Sequence, residues 1–329
     1  MEIKNFSLSF FTVILVLLII EISLRFTGSN PRIIHDFALN EPVTNIPDES
    51  LGWSPKEGQH IFKPWSDDGK ITKFTINKDK SRVTGIVELQ KKKIIFIGGS
   101  LTQGWAVDDH ETFSSFIQKK NKKYKISNFG VGGYGGFQSL LLLEKIFNNN
   151  DNVKLVIYGY IPHHEVRNVA AGSWMYLLNF FSTRGFVKLP YASIDEENNL
   201  IRYKPIKYIN IPFSNRSVLI AKLEKKIMKI KSLQREYIKF EISKAIIKEM
   251  NKISNENSSE FKFLILENLS EEKINKYKKF LANNEIALIN CPMPQGEGYF
   301  VKNEGHPNGL AHKAASKCIY KEIDILKIN

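Results

Sequence analysis

The sequence predicts a three-layer α/β/α sandwich built on a parallel sheet. Two observations carry this. From Lys91 onward short apolar strands alternate with helical segments of ten or more residues, and polar or glycine-rich turns repeatedly follow the strand ends. Strands separated by such helices need right-handed crossovers, so they run parallel with helices on both faces. The chain of 329 residues, 43% of them hydrophobic, can bury a sizeable core in one large domain or two modest ones. It shows no internal repeat.

The N-terminal stretch Phe6 to Phe26 is apolar for most of its length, interrupted by Glu21 and closed by Arg25. Roughly 20 such residues cross a bilayer at 1.5 Å each. The following "RFTGSNPR" lacks a small-x-small cleavage site, so residues 1–28 read as an uncleaved signal anchor rather than a cleaved signal peptide. Only Lys4 precedes the span while Arg25 and Arg32 follow it, a balance that favours a cytoplasmic body. Residues 29–90 are rich in Pro, Gly and Asp, with alternating pieces such as "KITKFTIN", and read as a strand-containing lead-in.

The main domain, residues 91–329, opens with the strand "KIIFIGG". A helix "DDHETFSSFIQKK" follows, with Asp108 or Asp109 as its cap, then the strand "YKISNFG", the helix "GFQSLLLLEKIF" and the strand "VKLVIYGY". A helical insertion is expected over about 170–255, its Lys and Glu forming a solvated face or, alternatively, a surface for a membrane or partner. Alternation resumes with "FKFLILEN", "SEEKINKYKKFLANN", "IALINC" and a closing helix from about Gly309 to Leu326. The formal net charge of +13 comes from lysines scattered along the chain rather than gathered into a stripe with interleaved aromatics, which argues against a nucleic-acid partner. Cys291 and Cys318 match no zinc spacing. They read as two buried thiols, with a single bridge as the alternative.

Four segments carry candidate chemistry. "GGSLTQG", Gly98 to Gly104, lifts Ser100 out of the end of a buried strand, and it lacks the Lys-Ser/Thr ending of a phosphate loop. "NFGVGGYGG" satisfies G-x-G-x-x-G at Gly130, Gly132 and Gly135. It follows the second strand rather than the first, and the next strand ends without a carboxylate, so a dinucleotide cofactor is the weaker reading. The alternative use of these glycines is to bring a backbone N–H to a reacting oxygen. In "YGYIPHHEVRN", His163 and His164 on extended backbone would point to opposite faces and could not grip one metal together. One of them, facing the cleft, would donate a hydrogen bond. "NEGHPNGLAH" brings His306 with Glu304 to the same sheet edge, where the imidazole can take the Ser100 proton and the carboxylate can hold the ring. His312, on the following helix, reads as structural.

Taken in order, Ser100 in "GGSLTQG", Asn128 and Gly130 to Gly133 in "NFGVGG", the strand end at Gly159 and His306 in "EGHPN" resemble the blocks of the SGNH hydrolases, or GDSL-type esterases, over roughly Lys93 to the C-terminus. The resemblance implies a flavodoxin-like sandwich that hydrolyses or transfers acyl groups without a cofactor. It implies Ser100 as nucleophile, His306 as general base and Glu304 as its acidic partner, with an oxyanion hole from Ser100, Gly132 and His163. This chain has Gly99 where the family has aspartate, His163 where an asparagine amide would donate to the oxyanion, and Asn303 where the family's aspartate stands. A membrane-tethered member would resemble envelope proteins that add or remove acyl groups, often acetyl, on surface carbohydrate, with an extracytoplasmic body. A catalytically weakened carbohydrate-binding or assembly factor is the alternative, and a nucleotide-dependent enzyme the more distant one.

Overall fold

In the computed structural model, residues 2–32, 43–62, 70–85, 92–149, 152–181, 187–302 and 304–323 are described. Helix α1 (Glu2–Phe26) precedes two antiparallel hairpins. These are β1 (Asn45–Asp48) with β2 (Gly52–Pro55), and β3 (Gly58–Phe62) with β4 (Thr72–Ile76). Among the described residues the main sheet has five strands: β5 (Lys93–Gly98), β6 (Lys125–Gly130), β7 (Val153–Tyr160), β10 (Glu260–Ile265) and β11 (Ala287–Asn290). All neighbouring pairs are parallel, in the order β6-β5-β7-β10-β11. Numbered from the first strand of the domain this is 2-1-3-4-5, the flavodoxin-like order, whose topological switch lies between β5 and β7.

Alternate residues of each strand enter opposite cores, as the two-residue period of a strand requires. Ile95, Ile97, Val156, Tyr158 and Phe263 face one core, packed with α4 (Gly136–Asn148) and α8 (Lys239–Glu256). Ile94, Phe96, Leu155, Ile157 and Leu264 face the other, packed with α3 (Phe113–Lys120) and α10 (Gly309–Ile323). Among the described residues the remaining helices are α2 (Ser100–Gln103), α5 (His163–Asn168), α6 (Gly172–Phe181), α7 (Val218–Tyr237) and α9 (Glu271–Ala282). The three-layer sandwich expected from the sequence is therefore present. α1 contains the stretch Leu8–Phe26, with a mean hydropathy of 2.3, long and apolar enough to cross a membrane.

Four expectations change. The insertion is not all helical, because β8 (Lys188–Ile194) and β9 (Leu200–Lys207) form an antiparallel hairpin between α6 and α7. The helix expected from Asp108 is split: Asp108 caps a 3-10 turn, Asp109–Glu111, and Thr112 starts α3 by accepting from the Ser115 N–H. His163 and His164 stand on α5 rather than on extended backbone, so the face argument applied to them does not hold. Cys291 and Cys318 form a disulfide, not two free thiols. α10 packs beside β11 and brings their Cα atoms to 5.7 Å, within bridging range. Asn303 and the end of the closing helix lie outside the described residues.

Candidate active site

β5 ends in two glycines because nothing larger fits. A Cβ at Gly98, whose φ is +154°, would sit 2.6 Å from the Gly159 carbonyl oxygen. At Gly99 it would sit 2.7 Å from His164 Nε2 and 3.2 Å from Arg167 Nη1. The space an aspartate would need before the serine is thus taken by two α5 side chains. After this turn Ser100 opens the short helix α2, whose carbonyl end is held from the lead-in region. The buried Arg82 guanidinium donates to the Gln103 carbonyl at 3.1 Å and to that of Gly104, while its Nε donates to Asp109 at 3.1 Å. Burial lowers the Arg82 pKa to about 10, and Asp109 opposes the drop, so the side chain stays cationic at neutral pH.

The loop before α10 supplies the second half of the site. Asn308 Oδ1 accepts from the N–H groups of Leu310 and Ala311 at 3.0 and 3.2 Å, capping α10, and the Val301 N–H reaches the His306 carbonyl at 2.9 Å. Glu304 then grips His306 twice, through the backbone N–H and through Nδ1, each at 2.8 Å. A bond from Nδ1–H to the carboxylate leaves Nε2 as the acceptor, and Nε2 lies 2.9 Å from Ser100 Oγ. Ser100 is buried, while His306 retains a partly open edge.

A cavity of about 300 Å³ opens on this pair. Leu101, Ile161, Leu266, Met293 and Phe300 form most of its apolar wall, and His163, Arg167 and Glu267 its polar part. Two of the predicted oxyanion groups look different in place. The Gly132 N–H is taken by Gln103 Oε1 at 2.8 Å, a bond that braces the second glycine segment against α2. His163 is exposed on the cavity wall. The buried donor is Arg167, one turn further along α5 and 8% exposed. Its Nη1 donates to the Tyr134 carbonyl at 2.9 Å, its plane lies over Trp174 at 4.3 Å, and its Nε has no partner among the described residues. No carboxylate lies within ion-pair range of it there. Burial lowers its pKa to about 10, leaving a cation beside the Gly98–Ser100 turn. On the extended backbone expected from the sequence, nothing places Arg167 on the same side as His163. Read as a helix, the same segment puts residue 167 on the face of residue 163.

The other polar groups of these motifs are structural. His164 is fully buried with Nδ1 2.7 Å from the Tyr158 hydroxyl, and burial holds its pKa well below the usual value. Glu165 accepts from Tyr160 at 2.7 Å and Tyr277 at 3.0 Å and pairs with Lys273 at 2.9 Å. Asn128 ties β6 to α2 and α3, donating to the Thr102 carbonyl at 2.8 Å and Ser114 Oγ at 2.9 Å. Gly130 lies so close to α2 that a Cβ there would meet the Gln103 nitrogen at 2.3 Å, so this glycine serves packing. His312 is buried, accepts from the Phe113 N–H at 3.3 Å and stacks on that ring. Among the described residues no cluster of three metal-ligating side chains occurs.

Fold and site together define a class: a parallel α/β sandwich with a serine, a histidine and a glutamate in hydrogen-bonded series at the carboxyl edge of its sheet. No protein-family model and no curated protein matches the chain in sequence. Solved structures that align with it include TesA, at 11% identity and a TM-score of 0.42 over 71% of this chain and 99% of that one. The esterase EstA from Pseudoalteromonas sp. aligns at 11% identity and a TM-score of 0.43 over 73% and 100%. The acetyl xylan esterase Est2A from Butyrivibrio proteoclasticus aligns at 12% and 0.37 over 73% and 65%. Superposition this loose says nothing of the reaction.

Proposed function

We propose that the protein is a membrane-anchored serine esterase or O-acyltransferase of the SGNH hydrolase type. One observation carries this reading: Ser100 Oγ, His306 Nε2 and the Glu304 carboxylate form a continuous series at 2.9 and 2.8 Å, although serine and histidine stand 206 positions apart. A chance surface contact does not hold an imidazole from both nitrogens while its backbone is clamped as well.

In this reading Ser100 Oγ attacks the ester carbonyl carbon and His306 Nε2 takes its proton. Glu304 holds the ring and balances the imidazolium. Charge on the tetrahedral oxygen is met by the Ser100 N–H and by the cation of Arg167, with His163 at the rim. The C–O bond to the alcohol then breaks, and His306 returns the proton to that alcohol. Water or an acceptor hydroxyl, deprotonated by the same imidazole, attacks the acyl-enzyme and regenerates Ser100. The cavity has room for a short acyl group together with part of the alcohol, and acetyl esters of envelope carbohydrate are the substrates we favour.

The Cys291–Cys318 disulfide supports an oxidising compartment, hence a body outside the cytoplasm, against the weak arginine asymmetry around α1. The test is hydrolysis of p-nitrophenyl acetate by the full chain in detergent. Turnover that vanishes in Ser100→Ala supports the reading. Turnover absent from the wild type on this and on acetylated sugars, or unchanged in the variant, overturns it in favour of a binding or assembly factor.

A further inference from the structure

Helix α7 is buried on one side only. Ala221, Glu224, Met228 and Ser232 face the domain at helical spacing. Opposite them Leu223, Ile230, Leu233 and Tyr237 are 50, 62, 57 and 91% exposed. At 100° per residue these four fall within an arc of roughly 80°. Lys226 lies inside that arc and Lys222 and Lys229 border it, all three exposed. An ordinary solvated helix face does not line up four large apolar side chains.

The place where α7 begins says what they meet. Glu21, near the end of the apolar run of α1, accepts from Ser217 Oγ at 2.8 Å and from the N–H groups of Val218 and Leu219 at 3.0 and 2.9 Å, so it caps α7. Arg25 donates to the Arg216 carbonyl at 2.6 Å. Leu8 to Ile20 are exposed throughout, so α7 does not run back along α1. It departs at the level where the span ends.

We propose that α7 lies in the membrane–water interface of the bilayer that α1 crosses, with the stripe Leu223, Ile230, Leu233 and Tyr237 among the acyl chains and the flanking lysines on anionic headgroups. A helix with an apolar stripe, a basic border and long lysine stems is suited to that plane. A second copy of the chain is a poorer occupant, because pairing two identical stripes would bring Lys226 against like charge. The arrangement also sets the height of the candidate active site. α6 packs on α7, with Gly172 against the Met228 backbone, and α6 also supplies Trp174 and Leu177 to the cavity. The helices α6 and α7, whose axes pack about 10 Å apart, then lie between the cavity and the acyl chains. The proposal rests on α1 spanning a membrane and is independent of the acyl-ester reading.

The test uses the full chain in vesicles of phosphatidylcholine with about one-third phosphatidylglycerol. A polarity-sensitive fluorophore is attached at Ile230→Cys, at Tyr237→Cys and, as control, at Lys278→Cys on the exposed side of α9; the native cysteines are paired and do not compete. The expected result is blue-shifted emission and about fivefold weaker quenching by aqueous iodide at 230 and 237 than at 278. Lys222→Gln, Lys226→Gln and Lys229→Gln together should reduce that protection. Equal quenching at all three positions overturns the proposal. So does protection that grows with protein density at fixed lipid, which would identify paired copies instead.

Discussion

Two regions of this molecule treat side chains in opposite ways. At the carboxyl edge of the sheet, Ser100 meets His306 across 206 positions, Glu304 holds His306 from two residues away, and the backbone after Ser100 is braced from the lead-in region by Arg82. On the outer face of α7, apolar side chains point away from the protein altogether. The first region closes on itself among the described residues and, in our reading, serves chemistry. The second is incomplete, and its missing half is lipid in our reading. The difference teaches that a site is recognised by polar groups satisfied against expectation, and a docking face by apolar groups left unsatisfied.

Substitutions at the first region should change rate and leave the fold. Ser100→Ala or His306→Ala is expected to lower kcat/KM for p-nitrophenyl acetate by about 10⁶-fold with an unchanged circular dichroism spectrum. Glu304→Gln should cost about 10³-fold, because the imidazole keeps its backbone clamp only in part and loses its counter-charge. Arg167→Gln should cost about 100- to 1000-fold, mostly in kcat, whereas the exposed His163→Ala should cost only a few-fold. A larger loss at His163 than at Arg167 would restore the assignment that the sequence alone suggested.

Smaller effects separate framework from chemistry. Cys318→Ser opens a link that spans 27 positions and should lower unfolding stability by about 3 kcal/mol, read from a denaturant midpoint. His312 is neutral when buried, its pKa pushed down to about 3 from 6.5 chiefly by desolvation, with Arg82 and His306 adding to it. The unfolded chain therefore binds a proton between those values that the folded chain does not. Stability should hold above about pH 6.5 and fall as the pH drops below it, with a shallower fall in His312→Gln. Ile230→Asn on α7, by contrast, should move the detergent-solubilised melting midpoint hardly at all, within about 0.5 kcal/mol.

The sheet, its direction and the serine–histidine pairing were legible in the sequence because each depends on local pattern. Strand-ending glycines mark the edge, and every strand of the sheet delivers its C-terminal residue there. Other features were not legible for definite reasons. The contacts of Arg82 and Trp53 with the layer around Ser100 bring together segments far apart in the chain, with the Trp53 Nε1–H reaching the Gly132 carbonyl at 3.1 Å, and no periodicity announces that. The disulfide depends on α10 crossing β11. The β8–β9 hairpin did leave a signal, alternating strands about "DEENN", which the expectation of a helical insertion overrode. Glu21 read as an interruption of the span, and its role as the cap of α7 lies 196 positions away.

The most direct measurement of the central claim is labelling of the full chain with a fluorophosphonate probe, mapped by mass spectrometry. A single phosphonyl group on Ser100, absent from His306→Ala, is the predicted result. Failure to label Ser100 in the folded wild-type protein, or labelling that persists without His306, would contradict it.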